Sequence, residues 1–452
     1  MASIAHALER IKGSPLQILD RRTVERVCRE CKHQWRERDL GPAATIALFC
    51  QQVAAGNCPC SELRRAAGAA FSLQAYCAAR ARLPLEVVQG LLTAVVDAAL
   101  PHARRADHLW LGRHRAFHVD GSSFSMPDTT ELGDAFGRPS GPAPGCGFPT
   151  AHLLVLFSAS TGLLLDAFAG PLNTGDVAQT PELYMHLDAG DVVVGDDSFS
   201  GGYAHLALLV SRGLHGLFPA HHRRIVDFAK GRPYAAEGDA AAVAGLPTSR
   251  WVRSLGREDQ LVEYFKPKDR PAWMSQAEYD ALPDSIRVRE LRRTVQRPGA
   301  GKVTLTMVTT LVDPQRYPAA DLLDLRLRRW DVETNLGALK TTMGMDVLRC
   351  KSEDGVRKEV AAFCLVYNLV RCVMLEAARR QAVPVARVSF ADALYWVRHA
   401  RPGDVLPALT VNPHRPGRAE PRTRKRRPKP FPLMTLPRGE LRKALKNSGK
   451  TG

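Results

Sequence analysis

The sequence predicts a mixed α/β protein, on three observations. A helical first quarter gives way near Arg115 to apolar strands, those strands then alternate with helices, and a long charged helix follows the last strand. Strands alternating with helices imply a sheet covered on both faces. At 452 residues the chain exceeds one compact core and divides into two or three domains.

Lys and Arg outnumber Asp and Glu by 63 to 46, a net charge of +17, so the expected partner is a polyanion, with nucleic acid first. The 10 cysteines follow no disulfide framework and no secretory signal precedes them, which reads as reduced thiols in a cytoplasmic protein. The most apolar helices are broken by Asp97 and by Asn368 and Arg371, and both fall short of a membrane span.

Taken in order, TVERVCRECKHQWRERD, AATIALFCQQVAAG, SELRRAAGAAF and PLEVVQGLLTAVVDAAL read as helices, with Gly41-Pro42 and Gly56-Asn57 as breaks and Ser61 as an N-cap. The helices flanking GNCPCS fit a helix-turn-helix or an ordinary helical hairpin. Cys28, Cys31, His33, Cys58 and Cys60 leave zinc open as an alternative, although Cys28 and Cys31 sit within a helix and CPC is outside the usual knuckle spacing. From Arg115, AFHVDGSSF, HLLVLFSAS and GLLLDAFAG read as an antiparallel meander. A helix around Pro181 to Leu187, the strand VVV ending in acids, a helix through Leu206 to Val210 and the strand LHGLFPA follow. Short strands, prolines and many cations mark an insertion before the strand KVTLTMVTTLVD.

Residues 321–343 read as one helix. At about 100° per residue Arg326, Arg329, Glu333 and Lys340 fall on one face, and Leu325, Val332, Leu336, Leu339 and Met343 form an adjoining apolar stripe. A second, more apolar helix spans 356–379. The stretch from Asn412, with Arg424, Lys425, Arg426 and Arg427 among its cations, cannot bury a core and stays extended until an anion orders it.

Asp120 and Asp196 each close an apolar run, where an acid alone is as readily a turn former; Glu333 joins them from the charged helix. Together in a basic chain they fit hard divalent ions, which take oxygen ligands from carboxylates and phosphates. FHVDGSSFSMPDT, VVVGDDSF, TLVD and the helix with Arg329, Trp330, Glu333 and Lys340 resemble the DDE transposases of bacterial insertion sequences, in particular the insertion-sequence-four family with its Y-R-E-K signature. The resemblance covers nearly the whole chain. It implies a helical N-terminal DNA-binding domain (1–108), an RNase H-like catalytic core (109–220 and 300–350), a β-rich insertion (221–299), a helical C-terminal region (351–411) and a basic tail (412–452).

It further implies that Asp120, Asp196 and Glu333 hold two Mg²⁺ ions, with Mn²⁺ as a substitute, and that the protein cuts and joins double-stranded DNA at inverted-repeat ends, through hairpin ends, as a dimer on DNA at the bacterial nucleoid. Arg329 and Lys340 would grip phosphates, while Trp330 stacks on an unpaired base or packs in the core. The sequence departs from the signature at Arg326, where Tyr is expected, and at Asp197, where Arg is expected. Two alternatives follow: a decayed or domesticated relative that binds DNA without cutting, and a metal-dependent nuclease that does not join ends. His118, two residues before Asp120, shares its strand face and reads as a packed histidine with no catalytic role.

Overall fold

A computed structural model describes residues 19–68, 71–103, 109–139, 146–199, 202–235, 245–297, 301–400, 404–413 and 436–448. Its N-terminal region comprises α1 (Arg21–Glu30), α2 (Pro42–Ala54), α3 (Cys60–Ala67), α4 (Leu73–Arg82) and α5 (Leu85–Ala103). Asp20 caps α1 by accepting from Thr23 N at 2.7 Å, and Pro42 opens α2. The first helix is shorter than its sequence pattern, because Lys32 turns the chain through a φ of 56°. Ser61 lies within the first turn of α3, and Pro59, whose ring fixes φ, takes the cap position instead.

The strands are β1 (Ala116–Ser125), β2 (Thr150–Ser158), β3 (Leu164–Pro171), β4 (Val192–Val194), β5 (His215–Pro219), β6 (Arg250–Gly256), β7 (Asp259–Phe265), β8 (Ser285–Arg297) and β9 (Gly301–Thr309). Between them lie α6 (Thr130–Phe136), α7 (Asp176–Leu183), α8 (Tyr203–Ser211) and α9 (Gln276–Asp280). All nine strands share one sheet, in the order β3-β2-β1-β4-β5-β9-β8-β7-β6. β1, β4 and β5 run parallel, so their C-terminal ends meet at one edge of the sheet, while β2, β3 and β9 each pair antiparallel with a neighbour. The segment read as an insertion supplies β6, β7 and β8 as a lateral extension of this sheet, joined through β9.

The charged helix is not continuous. It divides into α10 (Ala319–Leu327), α11 (Trp330–Gly337) and a π-helical turn, Ala338–Thr342. Around the break, Arg329 N bonds Arg326 O and Asp331 N bonds Arg328 O, so i to i+3 bonds replace the regular ladder and change the facing of everything beyond. The apolar stripe is buried as its spacing requires: Leu325, Val332, Leu336, Leu339 and Met343 are all core residues.

Two further helices, α12 (Glu353–Gln381) and α13 (Phe390–His399), precede α14 (Arg438–Ser448). α12 is long and apolar enough to cross a bilayer by length and composition, which the sequence reading denied it. Here it is a core helix against α5, α2 and β3. The polar residues that interrupt it have partners inside: Asn368 accepts from Leu164 N at 2.9 Å and donates to Leu164 O at 2.7 Å, and Arg371 donates to Thr161 O. Arg424, Lys425, Arg426 and Arg427 lie outside the described residues.

Candidate active site

Where β4 ends, β1 continues. His118 pairs with Val194, the last residue of β4, while β1 runs on to Ser125 because β2 stays beside it. Asp120 therefore sits in mid-strand, not at a strand end, and its side chain looks over the edge that β4 vacates. Asp196 follows β4 by two residues and accepts from Ser198 N at 2.9 Å, which fixes it in a tight turn. Helix α11 crosses above and brings Glu333 to the same place.

These side chains line one cleft of about 500 Å³, together with Ser122, Arg329, Lys340, Thr341 and Asp346. Asp197 is exposed and is not among the lining residues. Arg326 is not among them either, because the helix break separates it from Arg329 and Glu333. Trp330 opens α11, and its side chain lies outside the described residues.

Arg329 is the centre of the charge arrangement. Its Nη1 lies 3.2 Å from Asp120 Oδ2 and its Nη2 lies 3.4 Å from Glu333 Oε1, while its buried Nε has no partner. Lys340, carried by the π-helical turn, donates to Ser122 Oγ at 2.9 Å and lies 3.6 Å from Asp346 Oδ1. Burial pushes the Asp120 carboxyl up to about 6; Arg329 opposes this, the charges of Asp196 and Glu333 add to it, and the Gly121 N–H moderates it. Nearby His118 is buried, and desolvation together with Arg328, Arg329 and Arg326 lowers its imidazole to about 3, so it is neutral. It is a packed histidine.

On the opposite face of β1 a second acid stands directly behind the cleft. Asp176, in the first turn of α7, has its Oδ1 2.7 Å from His152 Nε2, and a Cβ added to Gly121 would lie 2.6 Å from that same oxygen. Burial works against the Asp176 charge, but the nearby His152 and Ser198 outweigh it and hold the carboxyl below its usual range. Ser198 belongs to the turn that carries Asp196, and α7, which carries this half-buried acid, packs against that turn. Sequence reading missed Asp176, Ser122 and Asp346. Ser122 was accessible, since it shares a strand face with Asp120; the other two carry no local signal.

The donor set suits a hard cation: the acids offer only oxygen, and a carboxyl held up at about 6 by burial and neighbouring charge gains from an added positive ion. The set is not preassembled, because Arg329 stands between Asp120 and Glu333. Among the described residues, no group of three His, Cys, Asp or Glu is gathered closely enough to hold a metal. The same holds for the cysteines considered for zinc: Cys28 joins the main core and Cys58 a separate apolar cluster.

The family described as "Transposase DDE domain" matches residues 111–369, which include Asp120, Asp196, Glu333 and Lys340. Transposase InsG for insertion sequence element IS4, from Escherichia coli (strain K12), is 26% identical over 377 residues, covering 78% of this chain and 76% of that protein. A cryo-EM structure of the piggyBac transposase synaptic complex with hairpin DNA aligns over 88% of this chain and 80% of its own, at 9% identity and a TM-score of 0.40. With more than half its length matched by that family, the chain belongs to the DDE transposases, of the insertion-sequence-four type.

Proposed function

We propose that the protein performs cut-and-paste transposition of an insertion sequence, with Asp120, Asp196 and Glu333 as the ligands of two divalent cations, Mg²⁺ or Mn²⁺. The observation that carries this reading is the convergence of the three carboxylates with Arg329 and Lys340 on one cleft. The strand order β3-β2-β1-β4-β5, with β2 antiparallel to its neighbours, supports an RNase H-like assignment for 109–220 and 300–350. Residues 1–108 then bind the inverted-repeat ends, 221–299 form the insertion, 351–411 buttress the core, and 412–452 add nonspecific attraction to DNA.

When bound, the cations supply Lewis-acid activation of the attacking oxygen and charge relief at the leaving oxygen. The chain's own residues do the rest. Arg329 leaves its two carboxylates for a scissile-strand phosphate, exchanging one pair of anionic oxygens for another, so its charge is never stranded. Lys340, fixed by Ser122 and Asp346, holds a second phosphate. Water cleaves one strand at each end, leaving a 3′-hydroxyl. That hydroxyl attacks the opposite strand to give a hairpin end and, after reopening by water, attacks target DNA; each attack by the hydroxyl breaks one phosphodiester bond and forms another, with no covalent enzyme intermediate. Pairing of two ends calls for a dimer on DNA.

The test is nicking of an inverted-repeat duplex in Mg²⁺. Asp120→Asn, Asp196→Asn and Glu333→Gln should each abolish nicking while leaving DNA binding largely intact; near-normal nicking by any one of them removes that residue from the ligand set. A wild-type protein that binds but never nicks would instead fit the DNA-binding alternative, and nicking without joining of pre-cut ends would fit the nuclease.

A further inference from the structure

At one end of β8 and β9 the sheet narrows to these two strands. β8 pairs with β7 only as far as Leu291 opposite Asp259, whereas its pairing with β9 continues to Arg297 opposite Gly301. β9 in turn meets β5 only at Met307 to Thr309, with one more bond from Ala220 N to Thr306 O. Residues 293–297 and 301–305 thus form a two-stranded ribbon with no third strand on either edge among the described residues. Such a ribbon is at best marginally stable alone in water.

Its direction follows from the register. Val194 is level with Leu217, Leu217 with Thr309, and Pro219 with Met307, so Asp196, two residues beyond Val194, is level with Met307. The ribbon begins there, two strand spacings or about 10 Å to the side, and projects about 17 Å further past the edge that carries the cleft. The side that alternation turns away from Asp120 carries Arg292, Thr294, Gln296, Lys302, Thr304 and Thr306, every one a hydrogen-bonding group. Thr294, Gln296, Lys302 and Thr304 lie at the surface of the ribbon. Arg292 bonds Thr306 Oγ1 and lies near Glu258 at the base, and the stretch from 292 to 306 contains no acid.

We propose that this ribbon is an arm that enters the major groove of the duplex flanking the cleavage site. That groove is about 12 Å wide and admits a two-stranded β-ribbon, whose hydroxyl and amide groups can meet base edges while a lysine takes a phosphate. Because its polar row faces away from Asp120, the arm holds DNA beside the cut and not the scissile phosphate. The proposal rests on the transposase reading for its ligand, double-stranded DNA, and it separates from the catalytic part of that reading.

The experiment uses the full-length protein and two duplexes carrying the inverted repeat, one ending at the cleavage site and one extending about two helical turns beyond it. Dissociation constants are measured across a salt series for wild type, the double variant Gln296→Ala with Lys302→Ala, and Thr294→Val with Thr304→Val, after confirming equal melting temperatures. The wild type should prefer the longer duplex, and the first pair should erase about tenfold of that preference while reducing the log-log salt slope by about 0.9, the share of the one phosphate that Lys302 neutralises. Thr294→Val with Thr304→Val should erase part of it at unchanged slope. Equal loss on both duplexes, no loss on either, or a change of oligomeric state without a change in affinity each overturns the arm. Binding without nicking defeats the catalytic reading alone, and the preference for the longer duplex still decides the ribbon.

Discussion

Asp120→Asn should make the protein more stable while removing its activity. The Asp120 carboxyl is held at about 6 against 3.8 for an ordinary aspartate side chain. The native state therefore binds this proton more tightly than the unfolded chain. The resulting destabilisation is absent below 3.8, grows between 3.8 and about 6 as the proton leaves, and is complete above that. At about 1.36 kcal/mol per pH unit, the gap is worth about 3 kcal/mol at neutral pH. The amide removes the buried charge and keeps the shape. In metal-free buffer, urea unfolding at about pH 7.5 should show the variant about 2 to 3 kcal/mol more stable than wild type, and at about pH 3.5 the two should coincide. Added Mg²⁺ should then stabilise wild type and not the variant, narrowing the difference. A variant no more stable at neutral pH, or equally stabilised at both, refutes the account of Asp120 as a charge kept in place at the expense of stability.

Further outcomes follow from other contacts. Arg329→Met should raise divalent-metal affinity several-fold by freeing Asp120 and Glu333, and weaken DNA binding; calorimetric titration with Mn²⁺ checks the first, and unchanged or poorer metal binding contradicts it. Gly121→Ala should destabilise by about 1 to 3 kcal/mol, since its Cβ meets Asp176 Oδ1 at 2.6 Å, and adding Asp176→Ala should restore much of the loss in urea unfolding. Glu359 is buried and accepts from Asn57 Nδ2 at 2.5 Å, Arg349 N at 3.0 Å and Cys350 N at 2.9 Å, joining the N-terminal helices to the segment that leads into α12. Glu359→Ala should therefore cost about 3 kcal/mol in denaturant unfolding, more than Glu359→Gln. Truncation after Val411 should weaken DNA binding across sequences and flatten the log-log salt slope by about 0.9 for each phosphate the tail neutralises; an unchanged slope makes the tail a bystander.

The site was legible where chemistry and strand period coincide. VDGSS puts an acid, a glycine and a serine in alternation, so Asp120 and Ser122 share a face and Gly121 faces the other way. The stripe of Leu325, Val332, Leu336, Leu339 and Met343 likewise fixed which side of the charged segment is buried. What could not be read was set by tertiary contact. The break at 328–329 has no glycine or proline to mark it; Arg329 reaches Asp120 there, and one row of four charges becomes a cleft lined by three of them. The long reach of β1 past β4 depends on β2, beyond an intervening helix, and made Asp120 look like a strand end. Asn368 and Arg371 looked like breaks in an apolar run because their partners, Leu164 and Thr161, lie about two hundred residues away in sequence.

The central claim is that Asp120, Asp196 and Glu333 act as one ligand set once Arg329 gives way. Anomalous scattering from Mn²⁺ in crystals of the full-length protein with an inverted-repeat duplex tests it most directly. Manganese should lie against all three carboxylates, with the Arg329 guanidinium moved onto a DNA phosphate. Manganese elsewhere in the protein, or Arg329 still bridging Asp120 and Glu333 with DNA in place, would contradict it.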